Sequence, residues 1–258
     1  LDVNVKQGKT LEPGLSSPKS IFNKALNFVP VFSGVNNDGS WGYGQNGDNP
    51  AATVYATGTK EKLEPEVIFN GTLFITPVKG LEIQANYAKR VANINISNYL
   101  SPYSTYEGGQ FKGYYPGPDA IGSEGVTRAT RNLYKAIATY NTTFSKNHNL
   151  KVMGGFQAED HYNKALTLGR SKYAFPGYEQ INNGDPSTSS NSGSATDWAM
   201  ASVLGRVNYD YKGRYLFEFS ARYDGSSKLD PNNRWDFFPS VSAGWRISDE
   251  SFMESVRD

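Results

Sequence analysis

The sequence predicts an all-β protein whose antiparallel sheet crosses a membrane. Three observations predict it. About seven segments of roughly ten or more residues alternate apolar with polar side chains, the period-two signature of a strand with one dry and one wet face. Short and long connections between them alternate without exception. Aromatic residues recur at both ends of the apolar faces.

Taken in order, the strands are expected near 67–76, 80–89, 132–144, 149–159, 199–211, 214–224 and 237–247. In 80–89, Leu81, Ile83, Ala85 and Tyr87 alternate with Glu82, Gln84 and Asn86. In 149–159, Leu150, Val152, Phe156 and Ala158 alternate with Lys151, Gln157 and Glu159. The last pair is the clearest. Tyr215, Phe217, Phe219, Ala221 and Tyr223 form one face of 214–224, opposite Leu216, Glu218, Ser220, Arg222 and Asp224. Phe237, Pro239, Val241, Ala243, Trp245 and Ile247 form the apolar face of 237–247.

"PVKG" (77–80), "SKNH" (145–148) and "YKGR" (211–214) read as tight turns. Between them lie connections 90–131, 160–198 and 225–236, of about 40, 40 and 12 residues, rich in Gly, Ser, Asn, Pro and Tyr. Long structureless loops are unusual in compact domains; membrane barrels combine short periplasmic turns with long extracellular loops. In "DGSSKLDPNNRW" the Pro and Asn residues suit a compact turn, and Gly225 is expected to supply backbone freedom. Tyr215 and Tyr223 lie eight residues apart on one face, as do Phe237 and Trp245. Eight steps of ~3.3 Å, tilted by ~40°, span roughly 20 Å, close to the ~25 Å apolar band between aromatic girdles. Tyr209, Tyr211, Tyr215 and Trp245 fall near the short turns; Trp198, Tyr223, Trp235 and Phe237 fall near the long connections.

The first 65 residues alternate less clearly. "SIFNKALNFVPVF" (20–32) fits a short helix or a strand, and 34–52 is loop by composition. Residues 1–65 are therefore expected to be mainly an extracellular loop region, and 66–258 the strands and loops of one partial barrel domain.

Composition narrows the function. The 258 residues carry 26 basic and 25 acidic side chains, a balance that offers nucleic acid nothing. The absence of Cys excludes disulfides and thiolate metal sites. No apolar run reaches the ~20 residues of a membrane helix, which leaves strands as the means of crossing. The chain starts at Leu1 without a signal-peptide pattern, and reads as an internal piece of a longer chain.

Chemical motifs are sparse. His148 reads as a solvated turn residue and His161 as loop surface. "NNDGSWGYGQNGDN" has a passing likeness to a calcium loop but lacks its regular acidic ligands and closing Glu. "GSEG" is not a nucleophile elbow. No catalytic constellation and no cofactor or metal site emerge, so the reading is not an enzyme. Arg206, Glu218, Arg222, Asp224 and Arg246, on the wet faces, are expected to form a lumen-facing polar network. Trp41, Tyr43, Tyr103, Tyr106, Tyr114 and Tyr115 either bind substrate, by stacking on sugar rings or gripping peptides, or pack on one another or a partner. A soluble β-sandwich adhesin or carbohydrate-binding module would share the alternation and bury the dry face in its own core; a passive porin would share the barrel.

"GRVNYDYKGRYLFEFSARYDGSS" followed by "NNRWDFFPSVSAGWRISDESFM" resembles the SusC/RagA family of TonB-linked outer-membrane transporters. "NGTLFITPVKGLEIQANY" and "TRNLYKAIATYNTTFSKNHNLKVMGGFQAE" resemble successive barrel hairpins of that family, and "DGSWGYGQNGDNP" the loop segment before them. The resemblance covers the chain from about residue 34. It implies a barrel of about 22 strands around an N-terminal plug, of which this chain supplies seven or eight strands without the plug. It also implies TonB-dependent import of glycan or peptide fragments across the outer membrane of a Gram-negative, Bacteroidetes-like cell. The implied partners are a SusD-like surface lipoprotein, outer-membrane lipid and, through the N-terminal part, the TonB complex.

Overall fold

The computed structural model describes residues 1–14, 18–45, 47–175 and 177–256. Along the described chain run β1 (Asp2–Pro13), α1 (Pro18–Asn27), α2 (Pro50–Ala56), β2 (Gly58–Val78), β3 (Leu81–Leu100), β4 (Tyr103–Glu107) and β5 (Gln110–Tyr115). There follow β6 (Ile121–Phe144), β7 (His148–Ser171), β8 (Ser190–Tyr211), β9 (Tyr215–Ser226) and β10 (Trp235–Trp245). One open antiparallel sheet has the order β1-β2-β3-β6-β7-β8-β9-β10, and β4–β5 form a separate hairpin.

Every expected strand is present, and most are longer than the alternation predicts. The extensions lie at the long-connection end, so the loops expected at 90–131 and 160–198 shrink to 101–120 and 172–189. There β8 turns polar on both faces, in "SNSGSATD", and the period-two signal fades while ladder hydrogen bonds continue. The expected loop region 1–65 is corrected in the same way. Residues 2–13 pair with 59–70 along their whole length, supported by Lys9–Glu61 at 3.0 Å and Lys60–Glu12 at 3.3 Å. Charge complementarity there replaces hydrophobic alternation. Within 20–32 the helix alternative holds as far as Asn27.

The three short turns close the opposite end. Gly80 sits at φ +86°, and a Cβ there would lie 2.4 Å from the Asn141 carbonyl oxygen; only glycine fits. Lys146 and Lys212 also adopt positive φ, 61° and 54°.

Register puts the two faces beyond doubt. One cross-strand row runs Ile75, Ile83, Ala138, Gly154, Gly205, Ala221 and Pro239; the next on that face runs Leu73, Ala85, Ala136, Phe156, Val203, Tyr223 and Phe237. The row between them, on the other face, is Phe74, Gln84, Ile137, Gly155, Leu204, Arg222 and Phe238. Beside it run Thr72, Asn86, Lys135, Gln157, Ser202, Asp224 and Asp236. Val152 and Phe156 are exposed where Met153 and Gln157, the residue after each, are half-buried, so side chains crowd on the polar face and splay on the apolar one. Leu73, Val203 and Val241 remain 58%, 53% and 63% exposed. Among the described residues no second sheet covers them, as a sandwich would require. Bare apolar area on this scale marks an interaction surface.

Aromatic rows bound the apolar band. Phe144, His148, Tyr211, Tyr215 and Trp245 are register partners across five successive strands at the short-turn end. Their rings follow at 5.1, 4.7, 6.2 and 6.4 Å between centroids. His148 therefore belongs to a stacked belt, with Nδ1 2.7 Å from the Tyr209 hydroxyl, and is not a solvated turn residue. The other belt includes Tyr87 on Tyr134 and Tyr223 on Trp235, each pair at 5.1 Å. From the His148 row to the Ala158 row along β7 is ten steps, ~33 Å along the strand and roughly 25 Å at ~40° tilt. Trp198 is not in this belt. It lies on the polar face with His161, stacked at 5.5 Å, and His161 is a strand residue of β7 rather than loop surface. Gly225 is small for a reason other than the expected backbone freedom: a Cβ would meet the Trp235 ring at 2.5 Å.

The rim is uneven. β9 and β10 stop at Ser226 and Trp235, while β7 and β8 continue to Ser171 and Ser190. Above Met200, β8 has no β9 partner in the ladder. Ser227 closes it, donating its N–H to the Ala199 carbonyl at 2.9 Å and accepting the Ala199 N–H on Oγ at 2.8 Å.

The face assignment is tested at mid-strand, where Phe219 pairs with Val207 and Val241. In the full-length protein, Phe219→Arg should lower the yield of heat-modifiable, membrane-assembled protein by a penalty of about 2–4 kcal/mol. Ser220→Arg, one residue on and facing the other way, should assemble near wild-type levels. Equal losses would reverse or erase the two faces.

Candidate functional site

The most enclosed residues of the described chain lie outside the sheet, at the long-connection end. Ala52, Asn49, Thr53 and Thr57 have no exposed surface, and Tyr103 and Thr105 are nearly as buried. Asn49 organises them. Its Oδ1 accepts the N–H groups of Ala51 and Ala52 at 3.0 and 3.3 Å, capping α2, and Pro50 occupies the first turn, where a missing N–H costs nothing. Its Nδ2 donates to the carbonyls of Gly34 and Gly42 at 2.6 and 3.0 Å. Thr53 and Thr57 return their hydroxyls to the carbonyls of Asn49 and Thr53 at 2.9 and 2.6 Å. Thus one amide side chain ties a helix start to two loop strands, with every polar atom satisfied.

The β4–β5 hairpin docks on this knot. Tyr103 accepts the Asn49 N–H at 3.1 Å and donates to the Gly47 carbonyl at 3.0 Å. Burial, with Asp48 and Tyr115 nearby, pushes the Tyr103 phenol up to about 12. Tyr106 donates its N–H to the Trp41 carbonyl and accepts from the Tyr43 N–H, both at 2.9 Å. Tyr103 packs on Tyr115 at 5.6 Å. Lys24 lies 5.7 Å from the Tyr115 ring centre and pairs with Asp48 at 2.7 Å.

All six aromatics singled out in the sequence therefore converge on one cluster, but in different roles. Tyr103 is buried and structural. Trp41 and Tyr43 join the hairpin through backbone groups. Tyr106 and Tyr115 are half-buried. Tyr114 is 53% exposed, and beside it Phe111, which sequence reading passed over, is 51% exposed. The Phe111 ring lies 5.1 Å from that of Tyr114 and 5.7 Å from that of Tyr106, so the hairpin presents a fixed aromatic shelf. The Gly-Gly turn of "YEGGQFKGYY", flanked by aromatics, was the signal for it. In the segment with a likeness to a calcium loop, Asp38 Oδ1 instead accepts from the N–H and hydroxyl of Ser40; Asn46 lies outside the described residues.

On the polar face, Arg206 stands 3.6 Å from Glu218, which also accepts from Asn208. Arg222 reaches Asp224 at 2.6 Å and Ser202 at 3.0 Å. Sequence reading missed Arg131–Glu159, at 2.6 Å. Arg246 is separate from these: it follows β10 and pairs with Asp249 at 3.6 Å.

An apolar outer face between two aromatic belts, a polar inner face and an anchored loop cluster define the wall of a membrane-spanning β-barrel. The chain belongs to the TonB dependent receptor-like, beta-barrel family, which residues 11–257 match. It is 27% identical to TonB-dependent receptor P3 of Formosa agariphila, over 98% of this chain and 25% of that protein. Over 62 residues it is 47% identical to TonB-dependent receptor SusC of Bacteroides thetaiotaomicron, covering 24% of this chain and 6% of SusC. The chain thus spans a quarter or less of these relatives. The structure of the RagAB peptide transporter has the same fold, with TM-score 0.66 and 23% identity over 76% of this chain and 21% of that one. The SusC/RagA resemblance read from the strand residues stands.

Asn49→Ala should remove the α2 cap and strand two buried carbonyls, destabilising the cluster by about 1–3 kcal/mol. Hydrogen exchange should quicken across 34–57 and 103–106 and stay unchanged in β6 and β7. The phenol of Tyr103 ionises near 10 when unfolded and near 12 in the cluster. Its contribution is therefore intact below pH 10 and is lost as pH rises toward 12. Protection in the cluster, taken relative to the intrinsic base-catalysed exchange rate, should fall across that window, and Tyr103→Phe should flatten the fall.

Proposed function

We propose that the protein containing this chain imports oligomeric nutrients, glycan or peptide fragments, across the outer membrane, powered through TonB. The long-connection end faces outward and the short turns face the periplasm. The polar inner face, continuous from β2 to β10, carries this reading, because a wall with wet and lipid-facing sides encloses an aqueous path. The TonB-dependent receptors among the relatives support it, as does the fold shared with a peptide transporter. The shelf of Phe111 and Tyr114 meets the substrate or a SusD-like surface lipoprotein. Aromatics held by a rigid hairpin provide contact area with little ordering entropy.

Sidedness is tested with single cysteines, since the described sequence has none. In intact cells an impermeant thiol reagent should label Ser189→Cys and spare Lys146→Cys; the opposite result would invert the topology. Recognition is tested with Phe111→Ser combined with Tyr114→Ser, which leaves the buried Tyr103 contacts in place. At equal surface expression, uptake or lipoprotein pull-down should fall several-fold. If both stay at wild-type levels, the shelf is not a recognition surface. Uptake that persists when the TonB complex is disabled would favour a passive pore.

A further inference from the structure

The three short turns share a charge pattern. They are Lys79-Gly80, Ser145-Lys146-Asn147 and Lys212-Gly213-Arg214. They hold four cations and no carboxylate. The arginines of this end are neutralised locally: Arg214 reaches Glu250 at 3.2 Å and Arg246 reaches Asp249 at 3.6 Å. Asp210 is occupied by the Gly213 N–H at 2.8 Å and by Asn149 at 3.0 Å. Lys79, Lys146 and Lys212 are exposed and form no ion pair among the described residues; Lys212 lies 5.3 Å from the Tyr211 ring centre. Each short turn thus contributes one uncompensated ammonium. The connections at the other end all mix signs, as in Glu107, Lys112 and Asp119 of 101–120 or Lys228, Asp230 and Arg234 of 227–234.

The position of these lysines gives the pattern its meaning. Lys146 and Lys212 follow directly on the row Phe144, His148, Tyr211, Tyr215 and Trp245, and Lys79 precedes Gly80, whose carbonyl accepts the Asn141 N–H next to Tyr140. Aromatic rows of this kind sit at the level of lipid headgroups. Successive hairpins stand two strand spacings apart, so the ammonium groups recur about every 10 Å along the wall. Two of them occupy positive-φ positions, Lys146 and Lys212, where glycine or asparagine is the easier choice. We propose that Lys79, Lys146 and Lys212 form an anionic-phospholipid contact line, each binding a headgroup phosphate of the leaflet at the short-turn side. It rests on the barrel-wall assignment and is independent of the transported substrate.

The test uses the full-length transporter extracted from bilayers of mixed phosphatidylglycerol and phosphatidylcholine, with retained lipids counted by native mass spectrometry. Wild type should retain phosphatidylglycerol in preference to phosphatidylcholine. Combining Lys79→Gln, Lys146→Gln and Lys212→Gln should weaken that retention about fivefold for each lysine removed. The three Lys→Arg replacements together should preserve it, which separates charge from assembly, as should Lys172→Gln at the other end. Raising salt should weaken wild-type retention and affect the triple Gln variant little. The proposal is overturned if wild type retains the two lipids equally, or if the assembled triple Gln variant keeps the wild-type preference. Uptake plays no part in these readings, so failure here leaves the import proposal untouched.

Discussion

Hydrogen-bond closure in a medium without water governs this chain. A backbone crossing hydrocarbon cannot leave N–H and C=O groups to the solvent, so it must satisfy them inside a helix or along a sheet. Here the ladder does so without a break from β3 to β10 in the bilayer region. Once the ladder is obligatory, pleating dictates the rest: alternate residues meet lipid, and the others meet water. The Ala, Gly, Val and Phe rows of one face and the Gln, Lys, Arg and Asp rows of the other follow from that geometry. So does the placing of ion pairs between the belts, such as Arg206–Glu218, on the polar face.

This division explains why the tightest packing lies away from the sheet. A single-layer wall has no interior of its own; its side chains are finished by lipid and by whatever fills the lumen. The loop cluster has neither resource and must be self-sufficient. It meets the need with hydrogen bonds more than with apolar bulk. Asn49, Thr53, Thr57 and the Tyr103 hydroxyl satisfy one another and the backbone around them, and Ala52 fills the space left. Anchoring of this kind holds Phe111 and Tyr114 outward without their own burial contributing to the fold.

The legible part of the sequence was the part under hydrophobic constraint. Between the aromatic belts, lipid enforces alternation, and strands, faces and turns could be read there residue by residue. Above the belt β8 is wet on both faces, and nothing in "SNSGSATDW" distinguishes a strand from a loop; pairing with neighbours decides. The same holds for β1, whose partner charges lie some fifty residues away at Lys60 and Glu61. The aromatic cluster was found as a composition, but the roles within it were not legible. Whether a tyrosine is a wedge or a shelf depends on which loop covers it, and Asn49-Pro50, a plain helix-start signal, was the overlooked pointer to that covering loop. His148 and His161 were misplaced because packing on Tyr211 and on Trp198 is a long-range pairing.

The unequal strand lengths have a consequence for access. β8 runs from Ser190 to Ala199, about 30 Å of strand, above the point where β9 and β10 turn back. The wall therefore steps down at that hairpin. The wall forms a low sill there and stands tall over β6 and β7. On the topology proposed above, that step lets the polar face be approached sideways as well as from above. Trp198, stacked on His161 and flanked by Lys228 at 4.8 Å, stands on the inner side of that sill.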